Sequence, residues 1–255
     1  RNDFDVVMLY LPEKWSKGFF GTVGEDFDLH DYIKAVAAVR GMPVQVLLES
    51  GALNYFCRCS VMWRLSIALY CKAGGVPWKL ANADPEVAYI GLSYALRSVN
   101  DGSPRYVTCC SQVFDADGAG LEFIAYEPDE VHVERDNPYL SRVEMRRVMT
   151  RSLSLYQRRH AGRTPKHVMV HKSTPFKPDE IEGCFDVWRS AEGLDLIQVQ
   201  QDVAWHGILI DRPNSPTAKK GVPGNYPIQR GSVLPLGGRD VLIWTQGNAP
   251  AAVGQ

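Results

Sequence analysis

Apolar and polar positions follow two rhythms along this chain, and the rhythm changes several times. Asp5 to Leu11 is a short, nearly continuous apolar run, the pattern of a buried parallel strand. Pro12 to Gly24 follows as a loop rich in glycine and aromatic residues. Asp28 is placed to cap a helix running to Arg40, and Gly41 to stop it. Val44 to Leu48 reads as a second strand. Val61 to Ala73 is apolar almost all round, which predicts a buried helix. Strand, helix, strand and helix with short connections predict an α/β layer built on a parallel sheet.

Asn82 to Pro85 is turn-rich and marks a boundary. Beyond it, Val87 to Leu96, Tyr106 to Phe114 and Leu121 to Tyr126 read as three strands. The last two are joined by a hairpin turn at Asp115-Ala116-Asp117-Gly118. A long helix is expected from Leu140 to His160, a strand from Pro165 to His171, a helix from Asp179 to Ser190 and a strand from Asp195 to Gln201. Asn214 to Asn225, rich in Pro, Gly and Lys, reads as a mobile loop. Val233 to Leu236 and Asp240 to Gln246 suggest a hairpin around Gly237-Gly238. Three adjacent antiparallel strands followed by helices and further strands fit a ribonuclease-H type of architecture. No internal repeat or low-complexity tract interrupts the pattern.

Composition narrows this picture only a little. The chain has 255 residues, 45% apolar and 22% charged, as in ordinary globular proteins. A net charge of −1 leaves no bulk basic bias, so a nucleic-acid site has to be a local patch. The six cysteines form no CxxC pair and no zinc-finger spacing with histidine, which argues against a metal cage. They lie in apolar runs and read as reduced core residues of a cytosolic protein. No signal peptide and no apolar run of about 18 residues is present, so neither secretion nor a membrane span is expected.

The chemistry concentrates between Leu29 and Leu80. His30 and Lys34 are four residues apart and share one face of a helix. Gln45 lies at the mouth of the second strand, and Lys72 in the last turn of the second helix, just before Gly74-Gly75. Two ammonium groups, an imidazole and an amide converging from three elements suit an oxyanion with several acceptor atoms, such as a terminal phosphate. Elsewhere, Arg142, Arg146, Arg147, Arg151 and Arg158 cover part of one face of the long helix. That face is either a solvated surface or a lining for phosphates. Asp115, Asp117 and Glu122 are either an acidic metal cluster or a hairpin turn, the turn being the simpler reading. Trp63, Trp78, Trp188 and Trp244 lie in apolar runs and read as core.

Four stretches, taken in order and spacing, resemble the MID and PIWI domains of prokaryotic Argonautes, above all the short, catalytically inactive ones. They are Lys72-Ala73-Gly74-Gly75-Val76-Pro77-Trp78-Lys79-Leu80, Ala88-Tyr89-Ile90-Gly91-Leu92-Ser93, His167-Val168-Met169-Val170-His171-Lys172 and Leu242-Ile243-Trp244-Thr245-Gln246-Gly247-Asn248. The resemblance implies a Rossmann-like MID domain over residues 1–82 and a ribonuclease-H-like PIWI domain over 83–255. It also implies that the PIWI domain lacks its C-terminal end or departs from the pattern there. In that family a Tyr or His, a Lys four residues on, a Gln after the next strand begins and a Lys before Gly-Gly hold the 5′-phosphate of a guide. His30, Lys34, Gln45 and Lys72 match those places, and Tyr32 falls on a different helical face. Some relatives place a metal ion beside that phosphate, so Mg²⁺ is the cofactor the resemblance allows.

Slicing members hold two metal ions on carboxylates that flank the scissile phosphate. Here Ser93 and Ser173 stand at two of those places, and serine carries no charge to hold Mg²⁺. The resemblance therefore implies guide-directed recognition without cleavage. The guide is a small RNA, with DNA as the other choice, and the target is complementary DNA. An effector subunit of TIR, SIR2 or nuclease type would act in prokaryotic defence. Arg142, Arg146, His171, Lys172 and Arg230 are then candidates for backbone contacts, although His171-Lys172 also reads as a solvent-facing strand end. The rivals are an active nuclease that uses Asp115, Asp117 or Glu122, and a small-molecule α/β domain with Gly74-Gly75 near a phosphate, which lacks the glycine patterns of known phosphate loops.

Overall fold

The computed structural model describes residues 4–18, 28–81, 84–98, 104–135, 137–201, 203–211 and 221–246. Contacts divide the chain into two compact units, Arg1–Val199 and Gln200–Gln255. The expected boundary at residues 82 and 83 and most of the expected loop at 214–225 lie outside the described residues.

The first unit opens with β1 (Val7–Leu11), α1 (Leu29–Val39) and β2 (Val44–Leu48). The strands pair in parallel, Val7 against Val44 through Leu11 against Leu48. Asp28 caps α1 by accepting the amide N–H groups of His30 (2.8 Å) and Asp31 (3.1 Å), which satisfies two of the donors a helix start leaves open. Gly41 adopts φ +61° just past the helix end, a conformation that glycine reaches without a Cβ clash. A single π-helical turn, Glu49–Leu53, leads from β2 towards α2 (Arg58–Lys72).

Against expectation, α2 contains no buried residue. Its apolar residues encircle the helix, and only one side meets β2, so Trp63 remains 67% exposed. Of the other tryptophans, Trp188 is core, Trp244 is half-buried and Trp78 is exposed. The cysteines divide likewise: Cys109 and Cys184 are buried, Cys57 is half-buried, and Cys59 and Cys71 are exposed. Burial pushes the Cys184 thiol up to about 12, so it packs and does not act as a nucleophile.

A mixed five-stranded sheet forms the centre of the unit. It comprises β3 (Val87–Ser98), β4 (Pro104–Asp115), β5 (Gly120–Tyr126), β8 (His167–Lys172) and β9 (Gly193–Gln198), in the order β5-β4-β3-β8-β9. β5, β4 and β3 are antiparallel neighbours, whereas β3, β8 and β9 run parallel. The hairpin of β6 (Val131–Glu134) and β7 (Asn137–Leu140) separates β5 from α3 (Arg142–Arg159), and α4 (Pro178–Trp188) joins β8 to β9. Ala88, Ile90 and Leu92 of β3 and Val168 and Val170 of β8 point to one face. There they meet Met145, Val148, Met149 and Leu155 of α3 and Cys184 and Trp188 of α4. Alternating burial along β8 and a three-to-four-residue stripe on α3 are the two periods such a contact requires.

Gly183 sets how closely the two helices approach. A Cβ there would stand 2.7 Å from the Arg142 carbonyl oxygen and 2.8 Å from the Met145 Cβ. Inside the core, Lys172 and Glu180 pair at 2.5 Å with both side chains 0% exposed.

The second unit consists of two antiparallel hairpins. β10 (Ile208–Asp211) pairs with β11 (Val222–Pro227), and β12 (Val233–Gly237) with β13 (Asp240–Ile243). The second hairpin turns at Gly237-Gly238 as the sequence predicts. Among the described residues no helix is long and apolar enough to cross a membrane.

Candidate functional site

An open cleft of about 470 Å³ lies where α1 ends, β2 begins and α2 ends, with Lys34, Ala37, Gly41, Val44 and Lys72 among its walls. Lys34 reaches it from the middle of α1 and Lys72 from the last turn of α2. Among the described residues no carboxylate lines it. The Lys72 ammonium donates to the Val44 carbonyl (2.6 Å) and to Gln45 Oε1 (2.6 Å). Burial, and then the charge of Lys34, hold Lys72 below the usual lysine range. Such a shallow site, with two ammonium groups and no compensating acid among the described residues, favours an anion.

The other two predicted residues stand differently. Gln45 belongs to β2, where it is hydrogen-bonded to Lys72, and its Nε2 donates to the Val46 carbonyl (2.9 Å). It lines a neighbouring cleft of about 350 Å³ between β2 and α2, together with Tyr55 and Arg64. His30 sits one turn before Lys34 and is not a wall of the cleft. Its Nδ1 lies 3.1 Å from Asp31 Oδ1. Lys34 and Lys72 therefore share a cleft, Gln45 joins them through Lys72, and His30 occupies the rim of α1.

Asp28, His30 and Asp31 offer ligand atoms within 4.8 Å of one another. Asp28 is already the helix cap, and His30 contacts Asp31. Capping and the His30–Asp31 contact explain the cluster, and it does not fit a dedicated ion site.

The remaining cations are largely engaged within the fold. Arg142 is bidentate to Asp186 (Nε–Oδ2 2.7 Å, Nη2–Oδ1 2.9 Å) and also meets Glu182 at 2.6 Å, tying α3 to α4. Arg147 bonds Asp129 and Glu144, and Arg151 lies over the Tyr126 ring. Arg146 is exposed. Lys172, expected to contact a nucleic-acid backbone, has no solvent-facing group to offer. Its ammonium is enclosed between Glu180 and the rings of Tyr139 and Phe176. His171 is half-buried, its pKa pulled down by burial, with its ring edge-on to Tyr89. Arg230 lies exposed in a turn of the second unit.

At the sheet, β3 and β8 stay paired up to Leu92 and Lys172. Ser93 and Ser173 each follow by one position, and both are exposed. Asp115 contacts His160 (2.9 Å) and Asp117 pairs with Lys79 (2.6 Å), so these acids serve a turn, a histidine contact and an ion pair with lysine. The side chain of Glu122 lies outside the described residues. Sequence reasoning missed the Val44 carbonyl as a partner of Lys72, because a backbone acceptor leaves no mark in residue identity.

No family model and no curated protein sequence matches the chain. Among solved structures it is similar to the Argonaute Aa-Ago with externally bound siRNA, at 17% identity and TM-score 0.55, covering 100% of this chain and 32% of that one. It is also similar to A. aeolicus Argonaute (18%, 0.48, 76% and 25%) and to Marinitoga piezophila Argonaute in complex with 5′ OH guide RNA (14%, 0.47, 86% and 34%). The chain thus spans about a third or less of these proteins' length. The likeness to Aa-Ago establishes an Argonaute-like fold of MID and PIWI type.

Proposed function

We propose that this chain anchors the 5′-terminal phosphate of a small guide RNA in the Lys34–Lys72 cleft and presents the guide for pairing with a complementary DNA strand. One observation carries the reading: two lysines from different helices converge on a cleft that no acid lines among the described residues. The Argonaute-like fold supports it, and the cleft lies within residues 1–82, the stretch whose sequence resembles a MID domain. Pairing then supplies sequence specificity, while the protein reads backbone and charge, as in other guided systems.

The proposal includes recognition without cleavage. Ser93 on β3 and Ser173 just past β8 each follow the last paired position of these two parallel neighbours, and by resemblance they stand where slicing relatives carry metal-binding carboxylates. Signalling would pass to a separate effector subunit of TIR, SIR2 or nuclease type in prokaryotic defence. A guide-loaded protein given matched DNA and Mn²⁺ should leave the target intact.

The deciding measurement compares affinities for 5′-phosphorylated and 5′-hydroxyl RNA of one sequence. The phosphorylated guide should bind more tightly. Lys34→Ala and Lys72→Ala should each remove about 1.5–3 kcal/mol of that preference, the range for a hydrogen bond to a charged group. Equal affinity for the two guides overturns the reading.

A further inference from the structure

We infer that His160 is a proton-operated latch between the end of α3 and the β4–β5 turn; this does not depend on the reading of the Lys34–Lys72 cleft. His160 is the C-cap residue of α3. Its Nδ1 lies 2.8 Å from the Tyr156 carbonyl oxygen, one turn back, and its Nε2 lies 2.9 Å from Asp115 Oδ1 at the end of β4. A carbonyl oxygen and a carboxylate only accept, so each ring nitrogen needs its own proton, and only the imidazolium carries two. A neutral ring satisfies one side and turns a lone pair towards the oxygen on the other. Two further contacts favour the charged ring. It stacks on the Tyr156 ring (centroids 3.8 Å apart, planes 12° apart), which attracts a cation, and a cation suits the C-terminal end of a helix.

The latch holds more than its two partners. Asp115 closes the turn: its amide donates to the Ala119 carbonyl (2.8 Å), and its carbonyl accepts the Gly118 amide (2.9 Å). Asp117 of the same turn pairs with Lys79 (2.6 Å), and its carbonyl accepts the Leu80 amide (3.0 Å). The segment that follows α2 is therefore seated on the turn that His160 ties to α3. On the helix side, Ala161 follows with φ +52°, a conformation that a Cβ disfavours. The chain just past the latch is held against its local preference, which gives it a direction in which to relax once the ring is released.

A cavity of about 430 Å³ beside the ring brings Glu86, Asp117 and Arg163 to the same place. Lys166 already pairs with Glu86 and Lys79 with Asp117, and Arg163 Nε donates to the His160 carbonyl (3.3 Å). Asp115 is thus the acid left to hold the ring. The His160 and Asp115 side chains are 16% and 29% exposed, so water reaches the pair and protons exchange. The contact is complete when the ring holds two protons and Asp115 none. It is lost as pH rises through the titration of the ring, and again in acid once the carboxylate is protonated.

Ring-nitrogen NMR of the full chain tests the first step, with His160 assigned by the signal that disappears in His160→Gln. Both nitrogens should be protonated at neutral pH. A neutral tautomer there overturns the inference, whether the proton has gone to water or to Asp115. Amide hydrogen exchange, corrected for its intrinsic pH dependence, tests the second. Protection of the Gly118 and Leu80 amides should fall about tenfold or more as the ring loses its proton, as for loss of a hydrogen bond to a charged group. Over the same span it should stay level in His160→Gln, which has no such proton to lose, and Asp115→Asn should move the fall to lower pH. Level protection in the unaltered chain, an equal fall in His160→Gln or an unmoved fall in Asp115→Asn overturns the inference.

Discussion

Lys172→Met should destabilise the fold severely while leaving any bound nucleic acid untouched. The lysine ends β8, its side chain is 0% exposed, and its ammonium lies 2.5 Å from Glu180 Oε2. Desolvation pulls the Lys172 pKa down and the Glu180 carboxylate opposes that shift. The Glu180 carboxylate is a hub: it also accepts the Lys177 amide (2.9 Å) at the start of α4 and the Leu140 amide (3.2 Å) at the end of β7. Methionine fills the space between the Tyr139 and Phe176 rings, so no large cavity forms. What remains is a buried carboxylate without its counter-charge, and breaking a buried pair from one side costs about 3–5 kcal/mol. Against a total stability of about 5–15 kcal/mol, that is a third or more in most cases. For a unit of this size each kcal/mol moves the midpoint by about 2–4 °C, so a fall of roughly 10 °C is expected. Thermal unfolding followed by circular dichroism, with urea midpoints as a check, measures it. A shift under about 3 °C, equivalent to roughly 1 kcal/mol, refutes the assignment. An intact midpoint with weakened guide binding would restore Lys172 to the nucleic-acid surface.

Two further predictions follow from the geometry. Gly183→Ala places a Cβ 2.7 Å from the Arg142 carbonyl oxygen and 3.1 Å from the Arg146 amide nitrogen, both backbone atoms that yield only if the helices separate. The cost should be about 1–3 kcal/mol by urea unfolding, and no loss at all would show that α3 and α4 slide freely. The affinity for 5′-phosphorylated RNA should fall with rising pH from a point below the ordinary lysine value of about 10.4. Burial and Lys34 depress Lys72, the protonated lysine is the form that binds, and so binding is present below its pKa and lost above it. Lys72→Arg should move that alkaline limb upward, and a limb that stays in place assigns it to another group.

Where one apolar face met one partner, the sequence was legible. The β1–α1–β2 unit, its Asp28 cap and its Gly41 stop follow from local spacing. The three adjacent antiparallel strands β3, β4 and β5 follow from a tight Asp-Ala-Asp-Gly turn and the apolar runs around it, whereas local spacing does not show that β8 and β9 add in parallel beside β3. Apolar content misled at α2, because residues all round a helix show that it can be buried but not that anything covers it. The β6–β7 hairpin escaped notice since His132, Glu134 and Asn137 give it a polar edge. Lys172 was the sharpest miss. Its partner Glu180 lies eight residues on, across a loop and on a helix, and no periodicity connects a strand end to the N3 position of the next helix.

The cations themselves give the last step. In a chain of net charge −1, basic residues do not mark a binding surface by number. What separates them is whether an acid already holds them. Lys79, Arg142, Arg147, Lys166, Lys172 and Lys177 each have a carboxylate partner within 3.0 Å. Their charge is compensated inside the fold, and an incoming phosphate would have to compete with an acid already in place. Lys34 and Lys72 have no carboxylate partner among the described residues, and each raises the electrostatic cost of the other. Two like charges in one concavity are unfavourable when it is empty and favourable when a dianion enters. A phosphodiester inside a strand carries one charge, whereas a terminal phosphomonoester carries nearly two at neutral pH. The same repulsion that strains the empty cleft therefore selects the end of a strand over its interior.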